Sequence, residues 1–270
     1  MKVLVSGSSG HLGQALCHVF ASKNIDYLGF DIKEGFYTSH VGSASDSNFI
    51  NNLVEGCDYI IHTATLHKPH VVTHSKQAFV ETNIQGTLEL LRAAVKYKIK
   101  GFIFTSTTSV FGDAMRPKQD EPAVWVTEET PYKAKNIYGV TKNAAEDLCR
   151  IFHRNENLPC LILRTSRFFL EEDDNKIMRD QYIDLNIKAN EFLYRRADIN
   201  DIVDAHLLAI EKVTSIGFAK YIISASSPFS QDDFNELNTN ASKVVERIYP
   251  NFSSIYQMVN WKMFPRISRV

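Results

Sequence analysis

Short apolar runs alternate along the chain with longer segments whose apolar residues recur at helical spacing. Lys2–Ser6 is apolar and stops at a glycine, the pattern of a strand buried on both faces. His11–Ser22 then carries its apolar residues on one helical face. The same alternation predicts further strands at Tyr27–Phe30, Tyr59–Ile61, Gly101–Thr105, Cys160–Arg164 and Tyr221–Ser224. The further predicted helices are Asp46–Val54, Ser75–Lys98, Tyr138–His153 and Ile199–Lys212.

This order of elements predicts the fold class. Neighbouring parallel strands need a crossover connection, usually a helix, so strands that alternate with helices form a parallel sheet. We therefore expect an α/β protein with a doubly wound parallel sheet. After Arg164 the pattern weakens. Residues 171–175 form a polar run predicted as a solvated loop, and the Asn- and Ser-rich remainder predicts a small second lobe.

Composition indicates a globular protein of balanced charge. The 270 residues include 30 Lys+Arg and 31 Asp+Glu, for a net charge of −1. Such a balance provides no general attraction to nucleic acid or anionic lipid, so neither is an expected partner. Met1–Val5 is too short an apolar run for a signal peptide. The four scattered cysteines form no CxxC pair, and a soluble cytoplasmic protein is expected.

A glycine pattern connects the first strand to the first helix. Residues 7–13 read Gly-Ser-Ser-Gly-His-Leu-Gly. Glycines at such a turn let backbone N–H groups approach a pyrophosphate, and the helix N-terminus favours its negative charge. Asp31 ends the second predicted strand eighteen residues after Gly13, near the spacing of a ribose-binding carboxylate. The alternative is a structural turn followed by an ordinary surface Asp.

The acidic residue also bears on cofactor identity. A carboxylate accepts hydrogen bonds from ribose hydroxyls but repels a 2′-phosphate, so Asp31 favours NAD over NADP. Lys33 lies close enough in sequence to weaken that preference. The predicted cofactor-binding residues of this region are Gly7, Gly10, His11, Leu12, Gly13, Asp31 and Ile32.

Tyr138 and Lys142 lie four residues apart on a predicted helix, and hence on one face. An unperturbed tyrosine has a pKa of about 10, and a fixed ammonium beside it favours the phenolate. Such a pair can exchange a proton with a carbinol while a hydride passes to the cofactor. The alternative is a surface pair, because this spacing is common by chance.

These segments resemble the extended short-chain dehydrogenase/reductases, also called NAD-dependent epimerase/dehydratases, from Met1 to about Lys212. The matching segments, in chain order, are Gly7–Gly13, Ile61–Thr65, Glu81–Thr87, Phe104–Gly112, Val126–Pro131, Tyr138–Lys142 and Asp198–Ala209. The resemblance implies a Rossmann-type NAD-binding domain at residues 1–165, to which residues 199–225 return. Residues 166–198 and 226–270 would form a small substrate lobe, truncated at its C-terminus because relatives usually continue further.

The resemblance also assigns site residues. The segment after the fourth matched strand places Thr107 at the catalytic position with Tyr138 and Lys142, and Ser106 is the fallback if the register shifts. By the same resemblance, the residues that line the cofactor further along the chain are Ala64, Thr65, Asn83 and Thr105, together with Tyr138 and Lys142.

Departures from the family pattern concern the substrate. Related dehydratases carry an acidic pair after the catalytic Thr, where this chain has Thr108 and Ser109, so an epimerase is expected in preference to a dehydratase. Arg167 stands where many epimerases place an Asn that contacts the substrate diphosphate. A later family Arg is displaced to Arg195 or Arg196.

We therefore expect these three arginines to bind an anionic substrate. The alternative is internal pairing with nearby acids, namely Glu171, Glu172, Asp173 or Asp174.

Three histidines, His67, His70 and His74, follow the third strand of the chain. No Cys or carboxylate accompanies them, so no metal is expected. His67 is predicted to contact the substrate, and a plain surface loop is the alternative.

The resulting hypothesis is NAD-dependent epimerase/dehydratase chemistry at a carbinol carbon, on a substrate such as a nucleotide sugar, in an enzyme that forms a homodimer. Two alternatives stay open: an NAD(P)-dependent dehydrogenase or reductase of another small carbonyl compound, and a non-catalytic NAD-binding sensor.

Overall fold

The computed structural model describes residues 1–118, 120–173 and 175–270. Seven strands form one parallel sheet in the order β3-β2-β1-β4-β5-β6-β7. Their bounds are β1 Lys2–Ser6, β2 Asp26–Asp31, β3 His40–Val41, β4 Tyr59–His62, β5 Gly101–Thr107, β6 Cys160–Thr165 and β7 Phe218–Ile223. The prediction of a Rossmann-type doubly wound parallel sheet is confirmed.

Helices pack on both faces of the sheet. The α-helices are α1 His11–Ser22, α2 Ser47–Val54, α3 Lys76–Phe79, α4 Gly86–Lys96, α5 Ile137–Glu156, α6 Lys176–Gln181, α7 Asp184–Phe192, α8 Ile199–Ile216, α9 Phe234–Leu237, α10 Ala241–Ile248 and α11 Phe252–Met258. On one face, Leu4, Phe102 and Ile162 share a core with α4 and α5. On the other, α8 contacts β5, β6 and α1. Burial on both faces explains the continuous apolar runs of the central strands.

The chain forms two compact units. The first comprises residues 1–110, 134–165 and 199–223, and the second comprises residues 111–133, 166–198 and 224–270. The structure therefore differs from the predicted division at residues 111–133, which group with the second unit. Val124 N donates to Ser268 O at 2.9 Å and Val126 N to Val270 O at 2.8 Å, so backbone pairing holds this segment to the end of the chain.

One predicted helix differs in the structure, and two of the observed elements, β3 and α7, were not predicted. The helix predicted at 75–98 is divided into α3, a π-helical turn at Val80–Gln85, and α4. The two-residue strand β3 is too short to show an alternation. The sequence also gave no sign of α7, because Asn186 and Asn190 occupy its buried face and both donate to Lys262 O at 3.0 Å.

The polar run at 171–175 is free of helix and strand at residues 171–173 and 175, whereas Asp174 lies outside the described residues. No helix in the described part of the chain is long and apolar enough to cross a membrane.

The turn between β1 and α1 is tightly packed. Gly7 has a φ of +75°, a conformation that favours glycine. A Cβ atom on Gly13 would lie 2.0 Å from the carbonyl oxygen of Gly7, whereas one on Gly10 would lie 3.2 Å from the same atom. The last glycine of the pattern thus lets the helix approach the preceding turn.

We predict that Gly13→Ala lowers the free energy of unfolding by about 2–3 kcal/mol, because backbone atoms must move to admit the methyl group. Urea denaturation monitored by circular dichroism measures this change. Gly10→Ala is the matched control, with an expected loss below about 1 kcal/mol. Equal effects of the two substitutions would contradict the packing argument.

Candidate active site

The carboxyl ends of β1, β2, β4 and β5 meet at one edge of the sheet, where the glycine turn lies. Phe30 O accepts hydrogen bonds from Gly7 N at 2.8 Å and Ser8 N at 3.1 Å, which hold the turn against β2. A Cβ on Gly7 would lie 2.8 Å from Ala64 N. Helix α1 then begins with no side-chain cap among the described residues. The first amides of an α-helix have no partner within the helix, which makes such a terminus suited to binding phosphate.

Asp31, the last residue of β2, is held by two backbone donors. Its Oδ2 accepts from Ser9 N and its Oδ1 from Lys33 N, each at 3.1 Å. A carboxylate oxygen has two lone pairs, so each oxygen can accept a further hydrogen bond. Ile32, the next residue, is 65% exposed. This donor and acceptor pattern fits a ribose diol.

Three hydroxyl groups that sequence reasoning missed brace the same turn. Ser8 Oγ and Ser9 Oγ each lie 2.7 Å from Thr38 Oγ1. No sequence signal identified Thr38, because the loop after β2 has no regular spacing relative to the glycine pattern. The glycine turn, the uncapped helix and Asp31 together fit a dinucleotide.

Ser6 and His62 connect β1 to β4 beneath this edge. Ser6 Oγ accepts from Thr63 N at 3.0 Å and Ala64 N at 3.1 Å, and lies 2.7 Å from His62 Nδ1. His62 Nε2 lies 3.0 Å from Thr87 Oγ1. Burial lowers the pKa of His62 well below its ordinary value, and the charge of Lys142 adds to the effect. A neutral His62 that accepts from Ser6 and donates to Thr87 satisfies this network.

Asn83, predicted near the cofactor, has all its hydrogen-bonding capacity occupied. Its Oδ1 accepts from Thr65 Oγ1 at 3.0 Å and Leu66 N at 2.8 Å. Its Nδ2 donates to Leu66 O and to Thr141 Oγ1, each at 3.0 Å. Asn83 therefore ties the segment after β4 to helix α5, and its amide has no remaining group to offer a ligand.

Thr107, Tyr138 and Lys142 come together between β5 and α5. The phenol of Tyr138 lies beside the side chain of Thr107, the last residue of β5, close enough to affect its ionisation. Lys142 Nζ donates to Thr105 O at 2.7 Å and lies 3.9 Å from the centroid of the Phe104 ring. The structure thus brings the three predicted residues to the end of β5 and the adjoining helix α5. Asn136 caps the start of helix α5, which carries Tyr138 and Lys142, and its side chain accepts from Gly139 N at 3.0 Å.

Burial sets the protonation states of this cluster. It raises the pKa of Tyr138 to about 12, although the side chain of Thr107 opposes that rise. It lowers the pKa of Lys142 to about 7, and nearby Glu146 opposes the fall. Tyr138 is therefore neutral at pH 7, and its phenolate requires additional positive charge close by.

The two residues before Thr107 are bonded elsewhere. Ser106, the fallback catalytic residue, donates from Oγ to Glu146 Oε1 at 2.5 Å. Thr105 Oγ1 lies 2.8 Å from His206 Nε2, and burial lowers the pKa of His206 to about 4. Of these hydroxyl residues at the end of the strand, Thr107 is thus the one that lies beside Tyr138.

The three histidines after β4 pack edge to face against one another. The ring centroids of His67 and His70 lie 4.4 Å apart, and those of His70 and His74 lie 5.0 Å apart. Burial lowers the pKa of His70 to about 4, and the neighbouring histidines add to the effect. Leu66, next to His67, packs in one apolar cluster with Tyr138. This segment therefore borders the tyrosine.

Arg167, Arg195 and Arg196 lie together in the second unit, where two acids pair with them. Arg167 Nη1 lies 2.7 Å from Asp173 Oδ2 and 3.3 Å from Glu191 Oε1. Glu191 also forms ion pairs with Arg195 at 2.5 Å and with Arg196 at 2.8 Å, and it is fully buried. The structure thus shows the internal pairing stated above as the alternative to substrate contact.

Of the acids named from the sequence, Asp173 is a partner, whereas Asp174 lies outside the described residues. Glu191 was missed. It precedes Arg195 by four residues, and that helical spacing was the available signal.

The strand order, glycine turn, Asp31 and Tyr138–Lys142 pair define a dinucleotide-binding fold of the oxidoreductase type. The chain belongs to the NAD dependent epimerase/dehydratase family, whose model matches residues 3–223. The predicted family and its NAD cofactor are thereby confirmed.

Relatives and solved structures agree with this assignment. The chain is 29% identical over 192 residues to a dTDP-D-glucose 4,6-dehydratase of Dictyostelium discoideum, covering 62% of this chain and 44% of that protein. It is 29% identical over 194 residues to an uncharacterized UDP-glucose epimerase of Bacillus subtilis, covering 61% and 55%. The chain spans about half the length of these curated relatives.

A short-chain dehydrogenase/reductase superfamily protein of Agrobacterium tumefaciens with bound NAD has the same fold. Its TM-score is 0.68 at 17% identity, covering 100% of this chain and 86% of that one.

We predict that Asp31→Ala weakens NAD binding roughly tenfold or more, because hydrogen bonds to a charged group are lost. The advantage of NAD over NADP should narrow, since the repulsion of a 2′-phosphate is lost as well. Calorimetric titration of both dinucleotides measures each effect. Asp26→Ala, at the exposed start of the same strand, is the control. Equal or tighter binding of NADP by the wild type would overturn the cofactor assignment.

We predict that Glu191→Gln lowers the free energy of unfolding by about 3 kcal/mol or more, because three guanidinium groups lose a buried counter-charge. Urea denaturation measures the loss. Glu236→Gln, an acid of the same unit that pairs with Lys243 and Arg247 at the surface, should have a much smaller effect. Similar losses in both variants would contradict a dominant role for Glu191.

Proposed function

We propose that the protein is an NAD-dependent enzyme of the epimerase/dehydratase type that acts at a carbinol carbon of a nucleotide sugar, as an epimerase rather than a dehydratase. The observation that carries the proposal is the placement of Tyr138 beside Thr107, with buried Lys142 one helical turn further along α5. The names of the two curated relatives, a dTDP-sugar dehydratase and a UDP-sugar epimerase, support the substrate class.

The proposed cofactor site lies wholly in the first unit. Gly7, Gly10 and Gly13 would admit the pyrophosphate, and Asp31 would hold the adenosine ribose. NAD, when bound, accepts a hydride from the substrate carbon and can return it. The second unit is proposed to contact the substrate.

Each residue of the cluster has a separate task. Thr107 donates a hydrogen bond to the substrate oxygen, and Tyr138 takes the proton of the substrate hydroxyl or returns it. Lys142, charged below a pKa of about 7, is the buried cation on the same helix that favours the phenolate. The apolar cluster of Leu66, Phe79 and Tyr138 keeps water from the ring of the tyrosine.

One observation supports an epimerase over a dehydratase, and a second supports an anionic substrate. Thr108 and Ser109 begin a short 3₁₀ turn after β5, so a carboxylate pair is lacking where related dehydratases carry one. In the second unit, three arginines face two acids, and this group of five carries a net charge of +1. One anionic substrate group would neutralise it. Arg167, Arg195, Arg196 and His67 are the proposed contacts.

A homodimer in the cytoplasm is part of the same proposal, and sedimentation of the purified protein tests the assembly.

The test is to incubate purified protein and NAD with UDP- and dTDP-sugars, to follow transient NADH absorbance, and to identify the product by mass and NMR. An epimer of unchanged mass is the expected product. A product lighter by one water would establish a dehydratase, and accumulation of free NADH would establish a dehydrogenase. A lack of reaction and binding with every sugar nucleotide would refute the proposal.

We predict that Tyr138→Phe reduces turnover by at least about 10²-fold, because proton exchange is lost. NAD affinity should stay within a few-fold of wild type, since the phenol acts on the substrate proton. Tyr97→Phe, at the end of α4, is the matched control and should retain wild-type turnover. Retention of most activity by the Tyr138 variant would exclude the proposed chemistry.

A further inference from the structure

Tyr138, Lys142 and Glu146 form a row on helix α5, each four residues from the next. Residues at this spacing lie above one another on one helix face. Glu146 is fully buried, yet the proposed chemistry gives it no task. A buried carboxylate is costly unless cations and hydrogen-bond donors surround it, so its partners are informative.

The partners of Glu146 come from three consecutive strands of the sheet. Ser106 Oγ, on β5, donates to its Oε1 at 2.5 Å. Arg164, on β6, donates from Nη2 at 2.7 Å and from Nε at 3.1 Å. Lys220 Nζ, on β7, lies 3.0 Å away. One carboxylate thus connects helix α5 to β5, β6 and β7.

These contacts lie close to the cluster around Tyr138. Ser106 directly precedes Thr107, and Arg164 pairs with Ser106 in the sheet register. Lys142 lies one helical turn before Glu146 and donates to the carbonyl of Thr105 on the same strand. The strand that carries Thr107 and the helix that carries Tyr138 are therefore joined at two points, one of them Glu146.

The charge balance shows that Glu146 is ionised. Burial alone raises the pKa of a carboxyl group, but the hydrogen bond and charge of Arg164, with the charge of Lys220, hold the pKa of Glu146 below its ordinary value. The charged and titratable groups that face it are Arg164, Lys220, Lys142 and Cys149.

Because the carboxylate opposes the effect of burial on Lys142, it keeps that lysine protonated to a higher pH. Its removal would leave Arg164 and Lys220 uncompensated near Lys142, which disfavours a third positive charge.

We propose that Glu146 is a positioning residue that fixes helix α5 to the ends of three strands and thereby sets the geometry and charge of the Thr107–Tyr138–Lys142 cluster. The functional meaning of this role rests on the proposed enzymatic activity. The predicted effect of Glu146 on the charge of Lys142 does not depend on that activity.

The experiment titrates Lys142 in the full chain by NMR of [13C]lysine-labelled protein, with the resonance assigned by Lys142→Arg. In Glu146→Gln we expect the midpoint of Lys142 to fall by about one pH unit or more. Glu89→Gln is the matched control, because Glu89 is a buried glutamate on α4 that pairs with Arg92. In Glu89→Gln, the titration midpoint of Lys142 should equal that of the wild type.

A second variant covers the case in which Glu146→Gln fails to fold. Ser106→Ala removes the link to β5 but keeps all charges, so the titration of Lys142 should move by less than about half a unit. The rate of hydride transfer should nevertheless fall several-fold, because the strand that carries Thr107 loses the hydrogen bond from Ser106 to Glu146 on α5. An unchanged Lys142 midpoint in folded Glu146→Gln, or unchanged hydride transfer in Ser106→Ala, would overturn the proposal.

The two proposals fail separately. If the wild type transfers no hydride to or from any sugar nucleotide, the proposed function is wrong, and the Lys142 titration still decides whether Glu146 controls that charge.

Discussion

The parallel sheet is buried on both faces, so the polar groups at its carboxyl edge have to find partners within the protein. At β1 and β4, the partners are Ser6 and His62, in a chain of neutral hydrogen bonds that continues through Thr87 to the carbonyl of Asn83. At β5 and β6, the polar side chains of Ser106 and Arg164 both bond to Glu146 in a charged network. Both networks lie directly below residues assigned to the site. The same constraint that satisfies the strand ends therefore also fixes the positions of the glycine turn and the tyrosine.

The two compact units handle buried charge differently. In the first unit, one acid, Glu146, is shared by Arg164 and Lys220, while Lys142 is stabilised by a carbonyl oxygen and an aromatic ring. In the second, Glu191 and Asp173 serve three arginines. Because breaking a buried pair leaves an uncompensated charge, both groups constrain geometry more than they add net stability.

Features with a local signature could be predicted from the sequence. The alternation of strands and helices, the glycine pattern, Asp31 and the spacing of Tyr138 and Lys142 each depend on neighbours a few residues away. The missed features depend on contacts between distant segments. Thr38 braces the glycine turn from another loop, Glu146 needs three strands to explain its burial, and residues 111–133 join the second unit through backbone pairing. Helix α7 was missed because asparagines on its buried face bond to a distant carbonyl, which removes the apolar period.

Burial opposes both charged forms of the candidate cluster near neutral pH, even with the opposing effects of Thr107 and Glu146 included. Tyr138, with its pKa raised to about 12, holds its proton, and Lys142, with its pKa lowered to about 7, has lost much of its charge by pH 8. The pair then offers neither a phenolate nor an ammonium. Positive charge brought close to Tyr138 on ligand binding lowers the pKa of the phenol, and the carboxylate of Glu146 acts in the same sense by keeping Lys142 protonated. The ability of Tyr138 to act as a base thus depends on two charges, a positive charge brought close by ligand binding and the carboxylate of Glu146. The second belongs to the protein itself, because Tyr138 and Glu146 lie in one row on helix α5.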